Sequence, residues 1–521
     1  MTDFVPIQIP PGVVTQPTKT MRSSNWAEVN MFRWIEGEMQ PIGGQSKYAY
    51  SFASRCKAIH GWYDLLGIYH VAYVCEQHVY VDTAGVLTDI TPTGGWPPPP
   101  LPAQGGYGDL NYSDDNYGTP RASGLILSIN KIPNVWSVDN FGAILLVMNS
   151  VDGRLLQWDP AGAAGTKLTQ VPATSGGHSG MSPLGRCFVV TPERFVMIFG
   201  MNLDGTTDGG SARRFGWCDQ ENLGAWNFST VTSQAGFLDI EPASPIITAI
   251  SGRFGTLFFT AKKVYVSRYL GLPYIYNYVE LADDCTPWSP ASITTTSSSI
   301  LWQSEQGTFS FDGTTVTPVA CLIRPWITDD VDLANVREQA CATHVGIFSE
   351  FWWFYPQNGQ PYNTRCAIYN YKEGWWGQAQ MSRSAGITSS YTVQPIMADG
   401  VQPYQHEIGP VYADNTPAPW AESFDLNLSS GKRLVTLKQM LPDVKGDMPN
   451  VQFSFYTRMS RALPGADFGV WTPPLTVRPD GYVDIRTTGR ALRMKISTVG
   501  PRVLPFTLGQ HLMDFTVRGD R

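Results

Sequence analysis

Arg253-Phe-Gly-Thr-Leu-Phe-Phe-Thr260, followed by Val264-Tyr-Val266, decides how this chain is read. It is a run of apolar and aromatic residues at strand length with a glycine turn, and the second run returns at once. The same make recurs in Gly61-Trp-Tyr-Asp64 with Val79-Tyr-Val-Asp82, and in Phe141-Gly-Ala-Ile-Leu-Leu-Val147 with Asp152-Gly-Arg-Leu-Leu-Gln-Trp-Asp159. It recurs again in Phe309-Ser-Phe-Asp-Gly313, and in Phe351-Trp-Trp-Phe-Tyr355 with Ala367-Ile-Tyr-Asn-Tyr371 and Trp375-Trp376. Strand–turn–strand units repeating at roughly 40–50 residues predict an all-β chain containing a β-propeller. Units fall at 55–92, 133–172, 184–240, 244–284, 288–322 and 336–383, which gives about six blades.

The regions on either side differ. Residues 1–54 read as an extended N-terminal arm, because Pro10-Pro11 and Pro17 block a helix. Within it, Asn30 to Gly44 is a compact strand–turn–strand signal. The propeller spans 55–383, with an inserted, Pro-rich projecting loop at 93–132. Residues 384–423 read as a linker. From 424 to 521, strict alternation in Val451-Gln-Phe-Ser-Phe-Tyr-Thr-Arg458 and Leu492-Arg-Met-Lys-Ile496 predicts half-buried antiparallel strands, a C-terminal β-sandwich-like domain. Val331 to Thr343 is the one stretch read as a short helix, capped by Asp330 or Asp332.

Composition agrees with this outline. The 521 residues include 50 Gly and 39 Pro and are 12% aromatic, as turn-rich β structure requires. Charged residues make up 16%, below the roughly one quarter usual for soluble domains. Two readings follow: much surface buried against other subunits, or a surface of Ser and Thr. Net charge is −7, yet residues 424–521 carry 14 Lys+Arg against 8 Asp, so the body before them holds −13. Such a body argues against tight nucleic-acid binding, which needs phosphate neutralisation. The eight cysteines form no C-x-x-C pair and sit in apolar runs, where thiols act as small hydrophobes. No signal peptide or membrane span is read, and a cytosolic setting for assembly is expected.

No phosphate-loop, zinc-protease, nucleophile-elbow or dinucleotide signature occurs. His60, His70 and His78 share one unit at strand spacing, which favours core or surface roles over zinc. Asp204 to Gly210 lacks the order and distal Glu of a calcium loop. Asp329-Asp-Val-Asp332 and Asp283-Asp284 read as turns or caps rather than a glycosidase pair. No catalytic, cofactor or metal residue is assigned, and the chain is expected not to be an enzyme. At least one of each pair Trp352-Trp353 and Trp375-Trp376 reads as packing between blades, because neighbours in a strand point to opposite faces, the alternative being a stacking platform for sugars.

Several phrases in order give the chain a resemblance to the tail nozzle proteins of short-tailed bacteriophages, also called tail tubular protein B. They are Phe32-Arg-Trp-Ile-Glu-Gly-Glu-Met-Gln-Pro-Ile-Gly-Gly44, Trp136 to Gly142 with Asp152-Gly-Arg154 and Gln157-Trp-Asp-Pro160, and Arg253 to Thr260. Phe351 to Pro356 with Tyr369 to Trp376 follow, then Asp399-Gly400 with Gln405-His-Glu407, and Arg486 with Gly489-Arg490. The resemblance implies a structural virion protein in a homo-hexameric ring at the end of the tail. It implies attachment to an adaptor ring, docking of tail fibres or spikes, retention of packaged DNA, and passage of DNA through the lumen without sequence-specific binding. It places the chain in the virion tail, assembled in the host cytoplasm, with no stable membrane insertion.

On that reading Arg33, Trp34, Pro41 and Ile42 are candidate contacts to a neighbour or adaptor. Arg486, Arg490 and Arg493 are a candidate basic docking strip, the alternative being pairing with Asp484 or solvent. Asp114 and Asp115 are candidates for a channel exit or, equally, a solvated loop tip. The alternative function is a receptor- or glycan-binding propeller.

Overall fold

A computed structural model describes residues 4–15, 24–96, 133–176, 180–202, 211–241, 244–388, 394–414, 416–426, 428, 433–446, 450–459, 469–500 and 505–518. The regular secondary structure of the described chain is almost wholly strand, arranged in small, mainly antiparallel sheets. None of its helices is long and apolar enough to cross a membrane.

Seven four-stranded sheets follow one another. Sheet 1 is Cys56–Tyr63, Tyr69–Cys75, Val79–Thr83 and Val86–Asp89. Sheet 2 is Trp136–Phe141, Ile144–Asn149, Leu156–Trp158 and Thr169–Gln170. Sheet 3 is Cys187–Val190, Val196–Phe199, Arg214–Trp217 and Gly236–Asp239. Sheet 4 is Ile246–Gly252, Gly255–Thr260, Lys263–Tyr269 and Tyr276–Asp283. Sheet 5 is Ile293–Thr295, Ile300–Ser304, Gly307–Phe311 and Val316–Val319. Sheet 6 is Cys341–Val345, Glu350–Pro356, Asn363–Asn370 and Trp376–Ala379. Sheet 7 is Ala385–Thr388, Pro395–Asp399 and Gln402–His406, and its fourth strand is Gln45–Lys47 from the other end of the chain.

Strand alternation explains how these sheets stack. In the second strand of sheet 2, Leu145 and Val147 pack with Ala72 and Val74 of sheet 1, while Leu146 and Met148 pack with Phe188 and Ile198 of sheet 3. In sheet 4, Phe258 packs towards Phe199 of sheet 3, and Leu257 and Phe259 towards Trp302 of sheet 5. A strand covered on both faces needs an unbroken apolar run, which is why these second strands read as continuous rather than alternating. Val71 and Tyr73 of sheet 1 pack with Ile396 and Ala398 of sheet 7. The first strands also touch in chain order, and that of sheet 7 touches that of sheet 1, so the contacts return to their start.

Six of these sheets coincide with the six units expected from sequence. The seventh corrects that count. It lies in 384–423, read as a linker, and it borrows its fourth strand from about 350 residues away, so no local repeat announces it.

The expected arm is likewise corrected. Val5–Ile7, Trp26–Asn30, Phe32–Ile35 and Glu38–Pro41 are strands of three further sheets shared with the C-terminal region. Val5–Ile7 pairs with His511–Val517, Trp26–Asn30 with Trp420–Ser423, and Glu38–Pro41 reaches Phe506–Leu508. The strands of the C-terminal region are thus joined with N-terminal ones in a cap built from both ends of the chain. One continuous core joins this cap (Phe453, Ile496, Met513) to sheet 6 (Phe351, Trp353, Trp376). Two short helices, Arg324–Asp330 and Val336–Gln339, lie between sheets 5 and 6. The second falls inside the expected stretch, and Asp332 Oδ1 accepts the N–H groups of Ala334 and Asn335 just before it.

Two buried histidines, His406 and His511, and the half-buried His344 make stability pH-dependent. Burial holds His344, His406 and His511 below the usual imidazole value, His511 at about 4. Arg383 Nε donates to His406 Nε2 at 2.9 Å and the Asp443 N–H donates to His511 Nδ1 at 3.2 Å, so both rings are held neutral. The unfolded chain takes up these protons first, so their contribution is intact above about pH 6.5 and is lost as pH falls towards about 4. We expect the melting temperature to fall steadily from pH 6.5 to 4.5, and His511→Gln to flatten part of that slope. A melting temperature constant across this window in the full chain would refute the assignment.

Candidate functional site

The first strands of all seven sheets line one cavity of about 540 Å³. Its wall includes His60, Asp139, Ser251, Thr295, His344 and Thr388. His60 Nε2 is 2.9 Å from Asn140 Oδ1 and 3.9 Å from Asp139 Oδ1. Asp139 keeps 31% of its side chain open, yet crowding by the neighbouring strands raises its carboxyl above the ordinary range, with His60 pulling the other way. Its oxygens accept the N–H groups of Asn140 at 2.8 Å and Val190 at 3.2 Å. His344 Nε2 meets Tyr371 Oη at 2.9 Å, and Thr388 Oγ1 donates to the His344 carbonyl.

The helix Val336–Gln339 contributes Glu338 and Gln339 to the lining of this cavity. Lys57 Nζ donates to Gln339 Oε1 at 3.1 Å, the Asn134 N–H to Glu338 Oε1 at 3.3 Å, and Asn363 Nδ2 to the Gln339 carbonyl at 2.7 Å. Burial depresses the Lys57 ammonium, while Glu76, 3.2 Å away, opposes that shift. The charged groups of the wall thus already hold protein partners, and they share the lining with hydroxyl, imidazole and apolar side chains. Such a lining offers donors and acceptors together.

A second constellation joins the ring of sheets to the cap. Arg33 Nε donates to Glu350 Oε1 at 3.0 Å and Arg33 Nη2 to Glu407 Oε1 at 2.6 Å. Its guanidinium lies 3.6 Å from the centre of the Phe348 ring. Burial, which would lower the Arg33 pKa, is outweighed by the two carboxylates, so it is raised. Glu350 is raised by burial against the pull of Arg33, and also accepts Trp352 Nε1–H at 2.8 Å. Gly43 N–H donates to Glu407 Oε2 at 3.1 Å. A Cβ on Gly44 would lie 2.6 Å from the carbonyl oxygens of Gly409 and Val411, so this glycine permits close backbone approach rather than a turn.

The expected contact residues are distributed differently from the expectation. Arg33, Trp34 and Ile42 are buried inside this chain, and Pro41 is half-buried, so the first three are corrected from outward contacts to parts of the joint. Their apolar and charged groups are already spent on sheet 6, sheet 7 and the cap. Arg493 is half-buried and pairs with Asp425 at 3.1 Å, and its guanidinium lies 5.6 Å from the Tyr456 ring centre. Arg490 is half-buried, its N–H donating to the Arg458 carbonyl at 2.8 Å, and Arg486 is exposed at a positive φ of 49°. Asp484 pairs with Arg478, at 2.6 Å. Asp114 and Asp115 lie outside the described residues, as does Asp204 to Gly210.

Trp352, Trp353 and Trp376 are fully buried, as packing between sheets requires. His60, His70 and His78 each face a different carboxylate: Asp139, Asp64 and Asp89. Among the described residues no group of three His, Cys, Asp or Glu side chains could hold a metal ion. The reading of the sequence missed Asp139 and His344 as wall residues. First strands here carry only weak alternation, so nothing local marks which side chain faces the axis.

No known protein family matches the chain, and no curated protein does. Solved structures that match include exo-beta-1,3-galactanase from Phanerochaete chrysosporium. Two forms bound to beta-1,3-galactotriose match at TM-score 0.28 and one with galactose at 0.20. Each is 9% identical, covering 73% of this chain and 95% of the other. The chain was expected not to be an enzyme. The structures it matches are those of an enzyme, and that expectation is withdrawn. At these scores the likeness assigns this chain neither a reaction nor a substrate.

Proposed function

We propose that the seven sheets are the blades of a seven-bladed β-propeller and that the molecule is the nozzle subunit of a short-tailed bacteriophage tail. In this role it forms a homo-hexamer beneath an adaptor ring, docks tail fibres or spikes, retains packaged DNA and conducts it during ejection. The observation that supports this reading is the position of Phe32 to Gly44. The phrase that carries the resemblance is the joint: Arg33 is clamped by Glu350 and Glu407, and Gly44 packs against Gly409 and Val411. A part that holds back packed DNA is mechanically loaded. A ring whose last blade is closed by a strand from the other end of the chain opens only if that strand is withdrawn. Exposed apolar hairpin tips, Leu65-Leu66 and Leu270 to Tyr274, supply surface for subunit or fibre contacts. A six-fold ring needs heterologous interfaces that close. Electron microscopy of the chain, alone and mixed with tail components, is expected to show six-fold rings with a central passage. Single discs in both conditions, or absence of the chain from purified virus particles, would overturn the reading.

A second reading, a receptor- or glycan-binding propeller, is favoured by the polar axial cavity. Of the Trp pairs weighed as a stacking platform, Trp352, Trp353 and Trp376 are buried, and Trp375 is half-buried. This reading requires that the isolated chain bind some glycan.

A further inference from the structure

The axial cavity brings polar groups from distant parts of the chain to one place. Seven strands, one from each sheet, converge on it, and its roughly 540 Å³ falls in the 300–1,000 Å³ range of small-molecule sites. Three features of the wall restrict what fits. The hydroxyls of Ser251 and Thr295 can donate or accept, the Thr388 hydroxyl, which donates to the His344 carbonyl, can still accept, and the rings of His60 and His344 stand beside them, tied to Asn140 and Tyr371 through Nε2. Small apolar side chains such as Val138, Ala249 and Ile387 lie between them. The charged groups already hold protein partners: Lys57 pairs with Glu76 and donates to Gln339, Glu338 accepts from the Asn134 N–H, and Asp139 accepts from the Asn140 and Val190 N–H groups. A charged guest would lose its hydration without gaining a free counter-charge. A guest with alternating hydroxyl and C–H faces loses little, because its hydroxyls meet wall hydroxyls that donate or accept.

We propose that this cavity is a binding site for a neutral, polyhydroxylated ligand of mono- or disaccharide size. The helix Val336–Gln339 lines the cavity near the start of the first strands of sheets 1 and 2, where it is held by Lys57, Asn134 and Asn363. The ligand then lies along the axis between His60 and His344. This inference rests on the glycan-binding reading and names the site and the class of glycan that reading leaves open.

The test is titration of the full chain with galactose, glucose, arabinose, cellobiose and sorbitol, with N-acetylneuraminic acid and glucosamine as charged comparisons. Calorimetry measures affinity, and histidine ring resonances report whether His60 and His344 sense the ligand. Ser251→Leu fills the space, Ser251→Ala keeps it open, and melting curves show that both fold. The expected result is binding of a neutral member that moves the His60 and His344 signals and is weakened about tenfold or more by Ser251→Leu but not by Ser251→Ala. Because the resonances are read on the unaltered chain, a misfolded variant does not remove the test. Binding of charged sugars alone, or of neutral ones without movement of His60 and His344, overturns this inference and leaves the glycan reading standing. Binding of no glycan at all overturns both.

Discussion

Arg33→Ala is expected to destabilise the chain by about 3–5 kcal/mol, because it leaves two buried carboxylates facing each other without a cation. The side chains of Arg33, Glu350 and Glu407 are 2%, 1% and 8% exposed, so water cannot replace the guanidinium. The loss is larger than that of one ion pair, since Phe348 also loses the flat cation stacked on it. The structural consequence is local: the strand Phe32–Ile35 is released from sheet 6, and the Gly43 contact with Glu407 is loosened. Chemical denaturation should show an earlier, separate transition for the cap, and proteolysis should cut first near Gly43. The replacement Arg33→Met combined with Glu350→Gln and Glu407→Gln is expected to recover much of the loss, because uncharged groups of similar shape remove the penalty together with the attraction. A single Arg33→Ala variant with unchanged denaturation midpoint and proteolysis rate would refute the keystone role of this residue.

Removal of residues 1–47 is expected to abolish cooperative folding. The deletion takes away the fourth strand of sheet 7 and four strands of the cap. It also empties the core of Trp26, Phe32, Trp34, Met39 and Ile42, all at most 4% exposed. Each such aromatic or large aliphatic side chain is worth about 2–5 kcal/mol, and the sum exceeds the net stability of an ordinary domain. The strand Gln402–His406 would become a free edge with unpaired backbone groups, a template for association. The shortened chain should therefore show no sharp melt, little near-ultraviolet dichroism and a tendency to aggregate. If it melts within a few degrees of the full chain, residues 1–47 are an arm after all, and the ring closes without them.

The contrast between these residues and the repeats shows where sequence information resides. In Arg253 to Val266, strand, glycine turn and returning strand are neighbours in the chain, and their pairing is set by local alternation and turn chemistry. The same holds for Phe351 to Trp376. Such stretches announce β structure, the sheet boundaries of six units and the burial of at least one tryptophan in each of the pairs Trp352-Trp353 and Trp375-Trp376 before any coordinates are known. The strictly alternating strands near Val451 and Leu492 announce the cap in the same way. Phe32 to Gly44 announced its own strand–turn–strand but not where it packs, because its partners, Glu350, Glu407 and Gly409, lie more than 300 residues further on.

The candidate site follows the same division. His60 stands out in the chain as a polar residue in an apolar unit, but its zinc-like neighbours His70 and His78 point to other carboxylates. Asp139, Ser251, Thr295 and His344 carry no motif. They become a site only when seven first strands are brought side by side.

By itself, then, the sequence determined the all-β character, the turns, six of the seven sheets and the absence of any recognisable catalytic signature, since each depends on residues within one hairpin's reach. Tertiary structure alone decided the seventh sheet, the cap shared by both ends of the chain, the buried Arg33 clamp and the axial cavity. Those features depend on register and packing between segments hundreds of residues apart, and no local propensity encodes which distant strand will supply the missing hydrogen bonds.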